Sequence, residues 1–289
     1  MPAPAIEAAF LAACRAEIAA LKPGNVHRFA PGHGMEAATF EASALASAPS
    51  LAAPGAPVGR RVLESVEASF AAVGVNTNLG ILLLSAPLAL AAERGGYGQG
   101  AAALRRATQA VLAGLDAADA SHVFQAIARA SPGGLGRHEG ADVRRPPTIS
   151  LVEAMRLAAG HDLVARQYAD GYADIFETGL PALGGAGADS PLLSDPAFGP
   201  AGTAYLAFAA RHPDSHILRK YGAGVAETVR GDLADLAKHL ISEKEAATRF
   251  ERALALDASL KARGLNPGTS ADLTVASLFA KSLAEGGPR

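Results

Sequence analysis

From Leu79 to Ala92 the chain is apolar on every side, and the amide-rich cluster Asn76-Thr77-Asn78-Leu79-Gly80 leads directly into it. A helix apolar all round belongs at the centre of a protein, where every face can be covered. A bilayer span needs roughly 20 apolar residues, so this shorter run is expected to be a buried core helix, with no membrane role. Its start gathers unpaired N–H groups and the positive end of the helix dipole, a natural anchor for phosphate. On this stretch alone Thr77 or Asn78 as a simple cap explains the pattern equally well.

The rest of the chain has to cover such a helix, and its composition suits helices. Hydrophobic residues make up 49% with aromatics only 5%, alanine is abundant, tryptophan is absent, and strand-favouring runs are hard to find. The expected fold is all-α, a single domain over residues 1–289. A formal net charge of −2 gives no global attraction to nucleic acid or to an anionic membrane. The single cysteine, Cys14, excludes an internal disulfide framework and falls on the apolar face of the first helix. Met1 to Ala13 carries Glu7 and lacks a basic region before a long apolar run, so it does not read as a signal peptide and a cytoplasmic protein is expected.

Polar clusters interrupt this helical pattern. After an amphipathic helix through Ile6, Phe10, Cys14, Ile18 and Leu21 comes Lys22-Pro23-Gly24-Asn25-Val26-His27-Arg28, which opens a glycine-rich loop. A helix through Val58, Val62, Val66 and Phe70 carries Glu64 and Glu67 on one side, either as a solvated face or as Mg²⁺ ligands. Residues 131–147, with Arg137, His138, Arg144 and Arg145, form a loop long enough to be a lid or a disordered segment. Thr148 opens a helical pattern running to Phe176, broken at most at Gly160, with Asp162 on its apolar stripe. A carboxylate there has to be paired, hydrogen-bonded or metal-bound. Asp214-Ser215-His216 precedes Arg219 and Lys220, and Asn266-Pro267-Gly268-Thr269-Ser270-Ala271-Asp272 opens the last helix with what reads as a capping box between Thr269 and Asp272. None of these fits a P-loop, a dinucleotide fingerprint, a zinc motif or a Ser-His-Asp signature. Together they suit a site for an anionic, Mg²⁺-bound ligand.

At these same clusters the chain resembles the triphosphoribosyl-dephospho-CoA synthases. The matching elements are the Lys22-Pro23-Gly24 motif with Arg28, the Asn76–Gly80 motif before an apolar helix, Asp162 with Tyr168, Asp214-Ser215-His216 with Arg219, and Pro267-Gly268-Thr269-Ser270-Ala271-Asp272-Leu273. The order is the same over nearly the whole chain. The departures lie where these synthases have Asp in place of His27, His-Lys in place of Asn78-Leu79, and Arg-Gly-Gly in place of Lys220-Tyr221-Gly222. Such changes resemble a branch associated with pterin-linked one-carbon chemistry, which bears on the acceptor more than on the site.

The resemblance implies an all-α fold and transfer of the ribose C1 of ATP to an acceptor hydroxyl, that of dephospho-CoA or of a pterin intermediate, with adenine released. It implies Asp162 as general base, with His27 second and Asp214 also catalytic. Lys22, Asn25, Arg28, Asn76, Thr77, Asn78, Tyr168, Arg219, Lys220, Asn266, Gly268, Thr269 and Ser270 are expected to bind substrate or phosphate. Asp214, Asp272, Glu64 and Glu67 are the expected Mg²⁺ ligands. An ATP-dependent kinase and a non-catalytic nucleotide-binding module are the alternatives from other classes, and a homodimer is left open.

Overall fold

The structure, a computed structural model, describes residues 3–130, 149–184 and 190–287. Among these residues there is no β-strand, only the isolated bridges His27–Ala30 and Gly32–Met35 in the loop after the first helix. The helices are α1 (Ala3–Ala19), α2 (Ala37–Leu51), α3 (Val58–Val73), α4 (Leu79–Ala91), α5 (Ala101–Ala113), α6 (Ala117–Ala130), α7 (Leu151–Ala158), α8 (Leu163–Asp170), the short α9 (Leu180–Ala182), α10 (Gly199–Arg211), α11 (Ser215–Tyr221), α12 (Ala223–Ser242), α13 (Ala246–Ala262) and α14 (Gly268–Glu285). The all-α expectation holds. The 131–147 loop and its basic residues lie outside the described residues.

Helix α4 is the axis of the larger core. Nearly all its residues are buried, and α3, α5 and α14 pack on it. Continued through the irregular turn Ala92–Gly96, it forms an 18-residue stretch apolar enough to cross a bilayer, with 78% of it buried in the fold. The apolar stretch is therefore longer than expected, and burial, rather than shortness, marks α4 as a core helix. Pro87 sits inside it and has no N–H to give to the carbonyl four residues earlier. The Tyr168 hydroxyl donates to that Leu83 carbonyl at 2.6 Å, and Tyr172 donates to Leu84 at 3.0 Å.

A second, smaller core joins α10, α12 and α13, with Leu21 and Leu192 contributing. Helix α14 faces the larger core through Leu273, Val275, Ala276 and Phe279, and α10 packs against it from the other side. The expected long helix from Thr148 to Phe176 is broken: Thr148 lies outside the described residues, α7 and α8 are separate helices, and Phe176 falls in a further helical turn, Ile175–Gly179. Ser150 and Glu153 form a capping box at the start of α7, the chain turns at Ala159–His161, and α8 starts afresh. Asp162 is therefore no member of an apolar stripe. It is the N-cap of α8 and accepts the Ala165 N–H at 3.0 Å.

Candidate active site

The helix starts explain where the polar clusters meet. The N-termini of α4, α8, α11 and α14 and the end of α1 surround one cavity of about 580 Å³, within the range of small-molecule sites. Asn76, Thr77 and Gly80 enter from the α4 end, Asp162 from α8, His216 and Arg219 from α11, and Asn266, Thr269 and Asp272 from α14. Glu17 and Asn25 close the polar wall. Met35 and Phe40 on one set of elements, and Phe124, Ile127, Met155 and Leu157 on α6 and α7, supply apolar wall.

The start of α4 is held in place by a hydroxyl network. Thr77 bonds Ser43, Ser43 and Ser69 are 2.5 Å apart, Ser69 donates to Asn78 at 3.0 Å, and the Asn78 amide donates to Ser47 at 3.3 Å. Asn76 accepts the Leu79 N–H at 3.3 Å, and the Leu82 N–H is already taken by Asn78 O. The amides of Gly80 and Ile81, in the first turn, have no such acceptor among the described residues and are open to an anion. At α14 Pro267 is the N-cap and Asp214, from the start of α11, caps the helix by accepting the Ser270 amide, so the capping box expected between Thr269 and Asp272 does not form. Asp272 turns instead toward Gly80, where a Cβ would collide with its carboxyl. Only glycine lets the two helix starts approach this closely.

Asp272 makes no hydrogen bond with any described residue. Burial, then the neighbouring Asp214 and Glu17 carboxylates, push its pKa well above the ordinary range, against the pull of Arg219. Glu17 is buried, 4% exposed, and its Oε1 meets the fully buried Lys22 ammonium. Burial raises the Glu17 pKa and lowers that of Lys22, while the pair opposes both shifts. Lys22 also donates to Asn25 Oδ1 at 2.9 Å, and Asn25 donates to Asn266 Oδ1 at 2.8 Å, tying the Lys-Pro-Gly loop to the α14 entrance. Arg219 is ion-paired with Asp162 across the cavity edge, so both Asp162 oxygens have a donor. Burial lowers the His216 pKa, partly offset by Asp214.

Several expected site residues lie elsewhere. Lys22 does not line the cavity, because Glu17 and Asn25 take its ammonium. His27 is buried behind it, with Nε2 3.3 Å from Asp257, so it faces no substrate. Arg28 is at the surface, donating to Pro196 O at 3.0 Å and stacking on Phe29 at 4.5 Å. Tyr168 is committed to the Leu83 carbonyl, and Asn78 to the hydroxyl network. Asp214 is the N-cap of α11; it accepts the His216 N–H at 2.9 Å and the Ser270 amide and hydroxyl at 2.8 Å, so neither it nor Ser270 reaches the cavity. Lys220 is exposed beside Tyr221. Glu64 pairs with Arg60 on the outer face of α3, where Glu67 is exposed as well. Of the four expected Mg²⁺ ligands only Asp272 lines the cavity, and among the described residues no group of three or more His, Cys, Asp or Glu converges as a metal cluster. A free carboxylate, open amides and Arg219 fit a nucleotide that brings its own Mg²⁺; they do not form a protein cage for the ion.

Glu17 is marked by no motif, and His216 only as a member of the Asp214-Ser215-His216 element, with no role of its own. Glu17 was detectable: it stands at helical spacing from Phe10, Cys14 and Leu21, a charge on a buried stripe.

The family model for ATP:dephospho-CoA triphosphoribosyl transferase matches residues 3–289. Among solved structures, a chain described as a candidate triphosphoribosyl-dephospho-CoA synthase from Archaeoglobus fulgidus is similar at 26% identity and a TM-score of 0.65, over 86% of this chain and 99% of that one. No curated protein matches at a significant level.

Proposed function

Because the chain belongs to the ATP:dephospho-CoA triphosphoribosyl transferase family, and is thus a transferase that uses ATP, we propose that its cavity joins the ribose C1 of Mg-ATP to an acceptor hydroxyl and releases adenine. The observation that carries this reading is Asp272, a carboxylate that accepts no hydrogen bond from any described residue, on the wall of a cavity that also offers the open start of α4.

The triphosphate lies against the first-turn amides of α4 and against Arg219, where dipoles and charge are fixed in advance. Mg²⁺ enters as part of the nucleotide and neutralises its phosphates. Asp272 is the general base. A carboxylate held above its usual pKa is a stronger base once ionised, and no donor among the described residues competes for it. This moves the role from Asp162, whose two oxygens are occupied; Asp162 orients Arg219 instead. As the C1–N bond to adenine opens, positive charge grows on the ribose, and the carboxylates facing the cavity stabilise it. Dephospho-CoA is the acceptor the family points to. The apolar wall of Phe124, Ile127, Met155 and Leu157 favours a second reading of the acceptor, the same bond made to an alcohol carrying a flat ring such as a pterin intermediate.

Purified protein incubated with Mg-ATP and dephospho-CoA should release adenine, detected by chromatography. ADP in its place would assign a kinase. Intact ATP binding without adenine would move the acceptor to the ring-bearing alcohol.

A further inference from the structure

We propose that Glu17 is the general acid of this reaction, giving a proton to N7 of the departing adenine, with Lys22 behind it holding the carboxyl group in place. The proposal rests on the transfer reading above, and assigns to it a catalytic group on the wall opposite in role to Asp272.

The geometry comes first. Glu17 lines the cavity, yet is 4% exposed, and only its Oε1 is used, by Lys22. Its Oε2 accepts no hydrogen bond from a described residue. Met35 and Phe40 line the same cavity from α2 and the loop before it, and α2 packs on α1, which carries Glu17. An apolar wall beside a carboxyl group suits a purine, whose faces want apolar contact and whose edge wants a hydrogen-bond donor.

The charge state agrees. Burial raises Glu17 and lowers Lys22, so enclosure favours the proton on the carboxyl group and a neutral amine. That is the form in which a carboxyl group can donate. Lys22 has no route to the ligand itself and holds the carboxyl group through Oε1, leaving Oε2 toward the cavity side of the pair.

The step balances. The acceptor oxygen forms a bond to C1 and loses its proton to Asp272. The C1–N9 electron pair leaves with the purine, which takes the Glu17 proton at N7 and departs as neutral adenine. Glu17 ends as a carboxylate and Asp272 as an acid, and exchange with solvent through the emptied cavity restores both. No oxidant or further reactant is needed.

The test compares two donors with dephospho-CoA as acceptor. ATP needs a proton for its base to leave; 7-methyl-ATP carries a purine already cationic at the imidazole ring and does not. With the wild-type protein, the rate from ATP should fall at high pH as the acid is lost, and that limb should be missing with 7-methyl-ATP. Glu17→Gln should slow ATP by about a hundredfold or more and leave 7-methyl-ATP within roughly threefold. Equal losses on both donors would make Glu17 structural and overturn the proposal, as would an unchanged rate from ATP. Should Glu17→Gln not fold because Lys22 loses its partner, the wild-type pH profiles decide alone, and identical profiles for the two donors overturn it. If wild-type protein releases base from neither donor, the transfer reading itself fails and this assignment with it.

Discussion

Asp174 and Asp272 are both carboxylates set among the helices, and they are treated in opposite ways. Asp174 accepts from Arg166 at 2.6 Å and Gln167 at 2.7 Å, with His212 at 3.2 Å. Burial pushes its pKa up, but these partners outweigh burial and hold it below the usual range. Asp257 follows the same pattern with the Gly24 amide, His27 and Lys261. Asp272 has no donor among the described residues, and burial with two neighbouring carboxylates drives it up. A carboxylate that holds a fold together is saturated; one left short inside a cavity costs stability and is explained by what binds there.

The largest effect should come from Asp272→Asn. Transfer should fall by about 10²–10⁴-fold, while the melting temperature stays level or rises, because the side chain keeps its shape and sheds an unfavourable buried charge. At Asp174 the balance reverses. Asp174→Ala strips Arg166 and Gln167 of their acceptor and should cost about 3 kcal/mol in denaturant unfolding, with little change in turnover per folded molecule. Gly80→Ala comes next. The added methyl has to displace the Asp272 carboxyl, and a shift near 1 Å should lower the rate by roughly tenfold to a hundredfold; steady-state rates on the folded variant would measure it.

The smallest effect is on stability against pH, and its sign differs between the two sites. Asp272 has a raised folded-state pKa, so its contribution is fully present below the unfolded value of about 4 and is lost as pH rises through the folded value. Asp174 is depressed, so its contribution is present above about pH 4 and is lost as pH falls through its folded value. Denaturant midpoints across pH for wild type, Asp272→Asn and Asp174→Asn should show each variant flattening a different limb.

The fold was open to a reading of periodicity because α4 is apolar all round and its neighbours carry clean stripes. The break at Gly160 was visible, but its consequence was not: whether Asp162 lies within a helix or begins one depends on the turn, and that decides what its side chain does. The clusters that meet at the cavity were recognisable from their motifs, since helix starts announce themselves through Asn, Asp, Thr and Gly. Which member of each cluster faces inward was not recognisable. Ser270 and Asp272 are two residues apart, yet one bonds Asp214 and the other faces the cavity. Lys22 and Asn78 carry motif chemistry but spend it on neighbours: Lys22 on Glu17 and Asn25, close by in the sequence, and Asn78 on Ser69 and Ser47, brought from α3 and α2 by the tertiary fold.

The most direct test of the account is a parallel assay of wild type and Asp272→Asn with Mg-ATP and dephospho-CoA, following adenine, with melting curves recorded on the same samples. The account predicts adenine from wild type and at least about a hundredfold less from a variant that melts no earlier. Adenine at the wild-type rate from Asp272→Asn would contradict it, showing that the unpartnered carboxylate is not where the chemistry is done.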